Sequence, residues 1–192
     1  MTKLNGIIAC EFSQVIASTF RRAGHNVYSC DLKPCLKDSS YHIQDTIFNH
    51  LKGWDFMIAH PECTYLTVAG ARWFAGRERE QKEAIDFAER LWECGIPKIA
   101  IENPIGVLST RSILRKPTQI IQPWMFGHGE TKATCLWLKG FPKLVPTNIV
   151  SGRVPRVHYE SPGIINGMTR QERRSITLQG IANAMVEQWS NA

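Results

Sequence analysis

Two residues that can take part in covalent chemistry each lie at or just beyond the end of a short apolar run. Cys63 comes soon after the run at 54–60, and Glu102 ends the run at 98–102. A cysteine thiolate is a nucleophile, and a carboxyl group can hold or protonate an atom on which charge builds during a reaction. If both runs are parallel strands, their carboxyl ends meet at one edge of a sheet. We therefore expect the thiol and the carboxylate to share one cleft.

Apolar runs and helical spacings alternate along the chain and predict the elements that would position these residues. Strands are predicted at 6–11, 27–31, 54–60, 98–102 and 134–138. A first helix is expected to begin after Ser13, which would cap it, and to end at Gly24, with Ile16, Phe20 and Ala23 on its inner face. A second helix is expected at 77–93, and its apolar face comprises Ala84, Ile85, Ala88, Leu91 and Trp92. A last helix is expected through Ile181, Ala184, Met185 and Gln188. This alternation predicts an α/β fold with a doubly wound, mostly parallel sheet and helices on both faces.

The composition is that of a single globular domain spanning residues 1–192, with 43% hydrophobic residues. No apolar run approaches the roughly 20 residues of a membrane span, and the amino terminus lacks a secretory signal pattern, so we expect a soluble cytoplasmic protein with no membrane partner. The six cysteines include no Cys-x-x-Cys pair, which argues against a zinc site. The net charge of +6 permits a polyanionic partner. Residues 141–167, with several prolines and glycines, are expected to form a short irregular insertion.

The segments around Cys63 and Glu102 resemble those of the DNA cytosine-5 methyltransferases. Residues 61–72, Pro-Glu-Cys-Thr-Tyr-Leu-Thr-Val-Ala-Gly-Ala-Arg, are similar to the family's nucleophile loop, and residues 101–108, Ile-Glu-Asn-Pro-Ile-Gly-Val-Leu, are similar to its Glu-Asn-Val segment. Four further segments resemble the family's in the same order, at 11–31, 127–140, 168–173 and 180–185. The resemblance spans nearly the whole chain, and the short form is similar to compact methyltransferase-like proteins of phages and prophages.

This resemblance implies a Rossmann-like, S-adenosylmethionine-dependent enzyme that methylates carbon 5 of cytosine in DNA. In that mechanism Cys63 adds to carbon 6 of the ring, and Glu102 holds or protonates ring nitrogen 3. Lys132 stands where the family's pocket-closing strand carries an arginine, and is the third catalytic candidate. The residues that match the family's cofactor site are Phe12, Ser13, Asp31, Leu32, Asp45, Pro61 and Asn183.

The same resemblance implies double-stranded DNA as the partner, with the target cytosine turned out of the helix into the pocket. Positive charge along the entrance would offset part of the cost of extrusion through phosphate contacts. The candidate arginines are Arg72, Arg153, Arg156, Arg170, Arg173 and Arg174. A phage-encoded protein of this kind would act in the cytoplasm of a bacterial host.

Four departures from the family pattern leave alternatives open. Residues 14–17 replace a glycine-rich turn, Glu62 replaces the proline before the nucleophile, Glu130 and Thr134 flank Lys132 in place of Gln and Arg, and only 141–167 stand where a target-recognition region is usual. A carboxylate next to Cys63 would raise the pKa of its thiol. The short insertion could reflect a homodimer, a partner subunit that supplies target recognition, low specificity or a smaller substrate. The same chemistry could serve RNA or a free nucleotide, or a degenerate fold could bind nucleic acid, a nucleotide or a host protein.

Overall fold

A computed structural model describes residues 2–68, 74–155 and 159–191. Its centre is a seven-stranded sheet in the order β3-β2-β1-β4-β5-β7-β6. The strands are β1 Asn5–Ala9, β2 Asn26–Cys30, β3 His42–Ile43, β4 Phe56–Ala59, β5 Lys98–Pro104, β6 Gln119–Ile121 and β7 Thr134–Lys139. β1 to β5 pair in parallel, whereas β7 is antiparallel to both of its neighbours. The predicted doubly wound, mostly parallel α/β sheet is confirmed.

Helices cover both faces of this sheet and divide the apolar core into two layers. They are α1 Val15–Arg22, α2 Glu78–Trp92, α3 Leu108–Arg111, α4 Arg170–Ser175 and α5 Gln179–Trp189. Successive side chains of a strand point to opposite faces, so Ile7 packs in the layer that contains α2, while Ile8 packs in the layer that contains α1 and α5. The central strands are therefore buried on both sides, which is why they are continuous apolar runs. Within the described ranges, no helix combines the length and apolarity needed to cross a membrane.

The start of α1 differs from the sequence prediction. Ser13 is not the cap, because Gln14 occupies the cap position with a left-handed backbone, at a φ of 55°. The first free N–H groups of α1 are instead satisfied by the buried carboxylate of Glu11, which accepts from Ile16 at 2.6 Å and Ala17 at 3.2 Å. Ala23, predicted on the inner face, follows the helix and is exposed. The carboxylate of Glu11, five residues before Ile16, thus replaces the Ser13 cap that the pattern predicted.

Several short elements were not predicted from the sequence. The strands β3 and β6 have two and three residues, and the helices α3 and α4 have four and six, too few for a clear period. The predicted first strand ends earlier, at Ala9, since Cys10 adopts a left-handed backbone with φ of 58° and takes the chain out of the sheet. The insertion at 141–167 lies partly against the segment before β7, through bridges from Phe126 to Asn148 and from Glu130 to Val154.

Candidate active site

The strand order reverses between β1 and β4, which creates a crevice at the carboxyl ends of these strands. Such a crevice is where open α/β sheets bind ligands. An open pocket of about 500 Å³ lies there. The predicted cofactor residues that line it are Phe12 after β1, Asp31 and Leu32 after β2, Asp45 before the 47–49 turn, and Pro61 after β4. Sequence reasoning missed Gln171 and Glu172 of α4, which close the pocket from a distant part of the chain.

The two aspartates that line this pocket differ in how much of their hydrogen-bonding capacity remains. Asp31 accepts one backbone N–H, from Lys33 at 3.0 Å. Asp45 accepts three hydrogen bonds, from Thr46, Asn49 and His50. The bonds from Asn49 and His50 are the largest causes that hold the pKa of Asp45 below its ordinary value. Asp31 is therefore the more available acceptor for a ligand hydroxyl.

Two other predicted cofactor residues do not line the pocket. Ser13 is buried, and its Oγ lies 3.5 Å from the backbone nitrogen of Val15. Asn183 is exposed on α5, where its side-chain oxygen accepts from Gln179 at 2.8 Å. Their cofactor roles stay predictions.

Gln14, the first departure from the family's glycine-rich turn, does not block the pocket. Its fully buried side chain points toward β2 and the following loop. Nε2 donates to the hydroxyl of Ser29 at 3.0 Å and to the carbonyl of Asp38 at 2.9 Å, and Oε1 accepts from the N–H of Asp38 at 2.9 Å. Gln14 thus keeps the left-handed backbone that glycine favours while its side chain ties α1 to β2.

The loop that carries Cys63 is joined to the end of β5 by backbone contacts. Val107 donates to the carbonyl of Leu66 at 2.8 Å, and Asn103 donates through Nδ2 to the carbonyl of Pro61 at 2.8 Å. A Cβ atom at Gly106 would lie 1.9 Å from the same Leu66 oxygen, so only glycine allows this approach. These contacts bring the loop that carries Cys63 against the strand that carries Glu102.

The charges around Cys63 favour its neutral thiol. Burial is the largest cause that raises the pKa of this thiol, and the negative charge of Glu102 is the second. The positive charge of Lys132 acts in the opposite direction. Glu62 raises the pKa as the sequence indicated, but it is the smallest contributor. Its carboxylate accepts from Thr64 at 2.7 Å and from Gln171 at 3.1 Å.

Glu102 is held by a histidine whose role the sequence did not reveal. Nδ1 of His60 lies 2.8 Å from Oε2 of Glu102. Burial acts to raise the pKa of Glu102, but the hydrogen bond from His60 and the charges of His60 and Lys132 outweigh it, so the pKa lies below its ordinary value. The available signal was position, since His60 ends the predicted strand at 54–60 and so faces the same sheet edge.

Lys132 adds positive charge to the same place from the segment before β7. Its Nζ donates to the carbonyl of Arg174 at 2.8 Å, which links it to the end of α4. A small cavity of about 20 Å³ lies between His60, Glu102, Lys132 and the first turn of α5. That volume accommodates about one water molecule, so the cavity would have to widen before a nucleobase could enter it.

Several of the predicted nucleic-acid arginines are engaged within the protein. Arg173 is 10% exposed, pairs with Glu160 at 2.9 Å, and donates to carbonyls of the 161–168 loop. Arg153 donates to the carbonyls of Val150 and Gly152, and its guanidinium lies 3.9 Å from the ring centroid of Trp124. Arg170 and Arg174 are half-buried on α4. Arg72 and Arg156 lie outside the described residues. Nucleic-acid binding by this group stays a prediction.

Comparison with known proteins supports the fold. No family model matches the chain, and no curated protein is similar to it in sequence. The structure is similar to that of the Entamoeba histolytica methyltransferase EhMeth, with a TM-score of 0.50 and 12% identity. The similarity covers 86% of this chain and 62% of that one, so the chain spans less than two thirds of the enzyme's length. The chain therefore has a Rossmann-like, methyltransferase-like fold.

Proposed function

We propose that the chain transfers a methyl group from S-adenosylmethionine to carbon 5 of cytosine in DNA, through a covalent adduct of Cys63. The observation that carries this proposal is the grouping of Cys63, Glu102 and Lys132 beside the crevice pocket. A thiol, a carboxylate and an ammonium within electrostatic reach of one another are the groups that nucleophilic addition to a pyrimidine ring requires.

The residues of the crevice fit this cofactor. The pocket of about 500 Å³ falls within the range of ordinary small-molecule sites. Asp31 stands at the end of β2, where related nucleotide folds place the acid that accepts ribose hydroxyls. The ring of Phe12 supplies an apolar wall, with the ammonium of Lys33 5.6 Å from its centroid. When bound, the cofactor would supply an electrophilic methyl group.

Each catalytic residue has a distinct chemical task in the proposed reaction. The thiol of Cys63 loses its proton, its sulfur forms a bond to carbon 6, the double bond between carbons 5 and 6 is lost, and carbon 5 becomes nucleophilic. After carbon 5 has gained the methyl group, a base removes the carbon-5 proton, the double bond forms again and the thiolate of Cys63 leaves. Glu102 faces the ring edge that bears nitrogen 3, where charge builds during addition. When the cytosine ring forms a hydrogen bond with Glu102, the negative charge that faces Cys63 is weakened. The weaker charge favours loss of the thiol proton. Lys132 favours the thiolate directly.

Duplex DNA is the proposed substrate because the net charge of +6 suits a polyanion. The cavity beside Glu102 is small in this conformation, so we expect it to widen when an extruded base enters. Arg170 and Arg174 of α4 would then bind the phosphates. A second subunit would supply recognition of the DNA sequence.

The test is an adduct-trapping experiment with duplex DNA that carries 5-fluorocytosine and with S-adenosylmethionine present. Fluorine at carbon 5 cannot leave as a proton, so the bond from Cys63 to carbon 6 should persist and be visible by mass spectrometry. Cys63→Ala should abolish the adduct, and Cys94→Ala is the matched control because this half-buried thiol lies at the far end of α2. Calorimetry should show cofactor binding in all three proteins. Absence of both binding and adduct would refute the proposal.

The same experiment decides the class of substrate. RNA or a free nucleotide with 5-fluorocytosine replaces the duplex in parallel samples. Adduct formation with one of these but not with the duplex would move the reaction to that substrate.

A second function, binding without catalysis, is favoured by the small cavity beside Glu102 and by the raised pKa of Cys63. In that case the fold would bind nucleic acid or a nucleotide, and the thiol would have no task. Equal affinity of wild type and Cys63→Ala for the oligonucleotide, with no adduct in either, would support this function.

A further inference from the structure

His60 has a position in the site that the proposed chemistry of Cys63 and Glu102 does not by itself require. Its Nδ1 lies 2.8 Å from Oε2 of Glu102, with the two side chains only 11% and 19% exposed. An ionised carboxylate only accepts hydrogen bonds, so Nδ1 is the donor. Oε2 of Glu102 therefore accepts a hydrogen bond from His60. Oε1 of Glu102 accepts none from the residues that the structure describes.

A second buried carboxylate is within electrostatic reach of the same imidazole. Glu11 is 4% exposed; burial is the main cause that raises its pKa, and the charge of His60 opposes it. The imidazole therefore acts electrostatically on Glu11, from the end of β1, and on Glu102, from β5. Lys132, from the segment before β7, also acts on Glu102.

The other ring nitrogen of His60 argues against a purely structural role. Nε2 is buried and finds no hydrogen-bond partner among the described residues. A buried polar atom without a partner costs free energy, and replacing a buried ion pair by apolar groups is often neutral or stabilising. Apolar residues in place of both His60 and Glu102 would therefore serve stability at least as well, whereas loss of His60 alone would leave Glu102 buried without its partner. That the pair is present at all favours a functional reason for it.

We propose that His60 is a positioning residue that holds the Glu102 carboxylate by Oε2 and leaves Oε1 to face the substrate ring. This inference rests on the proposed function, because only that function makes the cytosine ring the partner of Glu102. His60 lines both the crevice pocket and the small cavity beside Glu102, so it lies on the wall between the cofactor and base positions. A carboxylate released from this contact could rotate away from the ring, and misplacement by about 1 Å can cost about 100-fold in rate.

The experiment compares His60→Asn and His60→Ala in single-turnover methylation of duplex DNA. Asparagine places Nδ2 at the same number of bonds from Cβ as Nδ1 of histidine, so it can donate to Oε2 without titrating. We expect His60→Ala to lower the rate constant by about 100-fold, with a much smaller change in the concentration at which the rate is half-maximal. His60→Asn should recover at least about a tenth of the wild-type rate.

The matched control is His25→Ala. His25 is also buried, also has Nε2 without a described partner, and lies at the opposite edge of the sheet, where Nδ1 accepts from the N–H of Leu4. Its loss should lower the melting temperature but leave the methylation rate within about twofold of the wild type.

Each outcome decides between the inference and the function on which it rests. An active wild type with an unchanged rate in His60→Ala would overturn the inference alone, as would a rate in His60→Asn no higher than in His60→Ala. A wild type that forms no adduct and transfers no methyl group would overturn the proposed function and this inference with it. If His60→Ala does not fold, His60→Gln is used in its place. The amide of glutamine lies one bond farther from the backbone than that of asparagine, so His60→Gln should methylate more slowly than His60→Asn. Equal rates in these two variants would overturn the inference.

Discussion

Replacing Gly106 by alanine should detach the loop that carries Cys63 from the end of β5. The new Cβ would lie 1.9 Å from the carbonyl oxygen of Leu66 and 3.0 Å from Cα of Thr67. Both are backbone atoms, so no side chain can rotate away to relieve the clash. The two segments must separate by about 1 Å, and the hydrogen bond of 2.8 Å from Val107 to Leu66 is lost.

The cost of this separation can be estimated from its two parts. The lost backbone hydrogen bond costs about 1 kcal/mol, and the overpacking costs about 1–3 kcal/mol. Together they lower the free energy of unfolding by roughly 2–4 kcal/mol, which for a chain of this size lowers the melting temperature by roughly 5–15 °C. Displacement of Cys63 relative to Glu102 by about 1 Å should lower the methylation rate by about 100-fold.

Two measurements test this reasoning. Thermal unfolding by circular dichroism reports stability, and single-turnover methylation, measured well below the lowered melting temperature, reports the position of Cys63. Ile105→Ala is the control, because this neighbouring side chain is 45% exposed and its truncation leaves the backbone contact from Val68 to Ile105 intact. A Gly106→Ala protein with the wild-type melting temperature and rate would refute the idea that this contact positions the loop.

Three further predictions concern backbone conformation, thiol ionisation and the contact that closes the pocket. Gln14→Gly should melt at a higher temperature than Gln14→Ala, since both lose the same hydrogen bonds but a left-handed backbone costs alanine about 1 kcal/mol more; equal values would contradict that conformation. The rate at which iodoacetamide alkylates Cys63, followed by mass spectrometry, should still increase above pH 9, because burial and then the charge of Glu102 raise the pKa of this thiol. The alkylation should be slower in Lys132→Met, which lacks the charge that lowers this pKa. A rate that levels off near pH 7 would refute this. The hydrogen bond from Lys33 is the largest cause that lowers the pKa of Glu172 to about 2, so the ion pair stabilises α4 above the unfolded pKa of about 4.3 and is lost as pH falls toward 2. Slower amide exchange of α4 in wild type than in Lys33→Met should therefore be clear at pH 6 and much smaller at pH 2, where about half of Glu172 is protonated. An undiminished difference at pH 2 would contradict the ion pair as its cause.

The sequence by itself determined the central strands and the edge of the sheet at which the chemistry would lie. A strand buried on both faces must be a continuous apolar run, so the strands that became β1, β2, β4 and β5 were recognisable within a few residues. Because parallel strands place their carboxyl ends together, the neighbourhood of Cys63 and Glu102 followed from two strand ends alone. Phe12 and Asp31, after β1 and β2, were expected near a cofactor from the family resemblance, and both line the crevice pocket.

Only the tertiary structure decided which groups hold these residues, because the contacts join parts of the chain that no local pattern connects. His60 and Glu102 are 42 positions apart, and the pocket is closed by α4, where Glu172 pairs with Lys33 across 139 positions. The direction of the Gln14 side chain, away from the pocket, likewise depends on Asp38. Hydrogen bonds of this kind depend on where backbone and side-chain atoms meet after folding, whereas the apolar pattern of a segment depends only on which of its faces is buried.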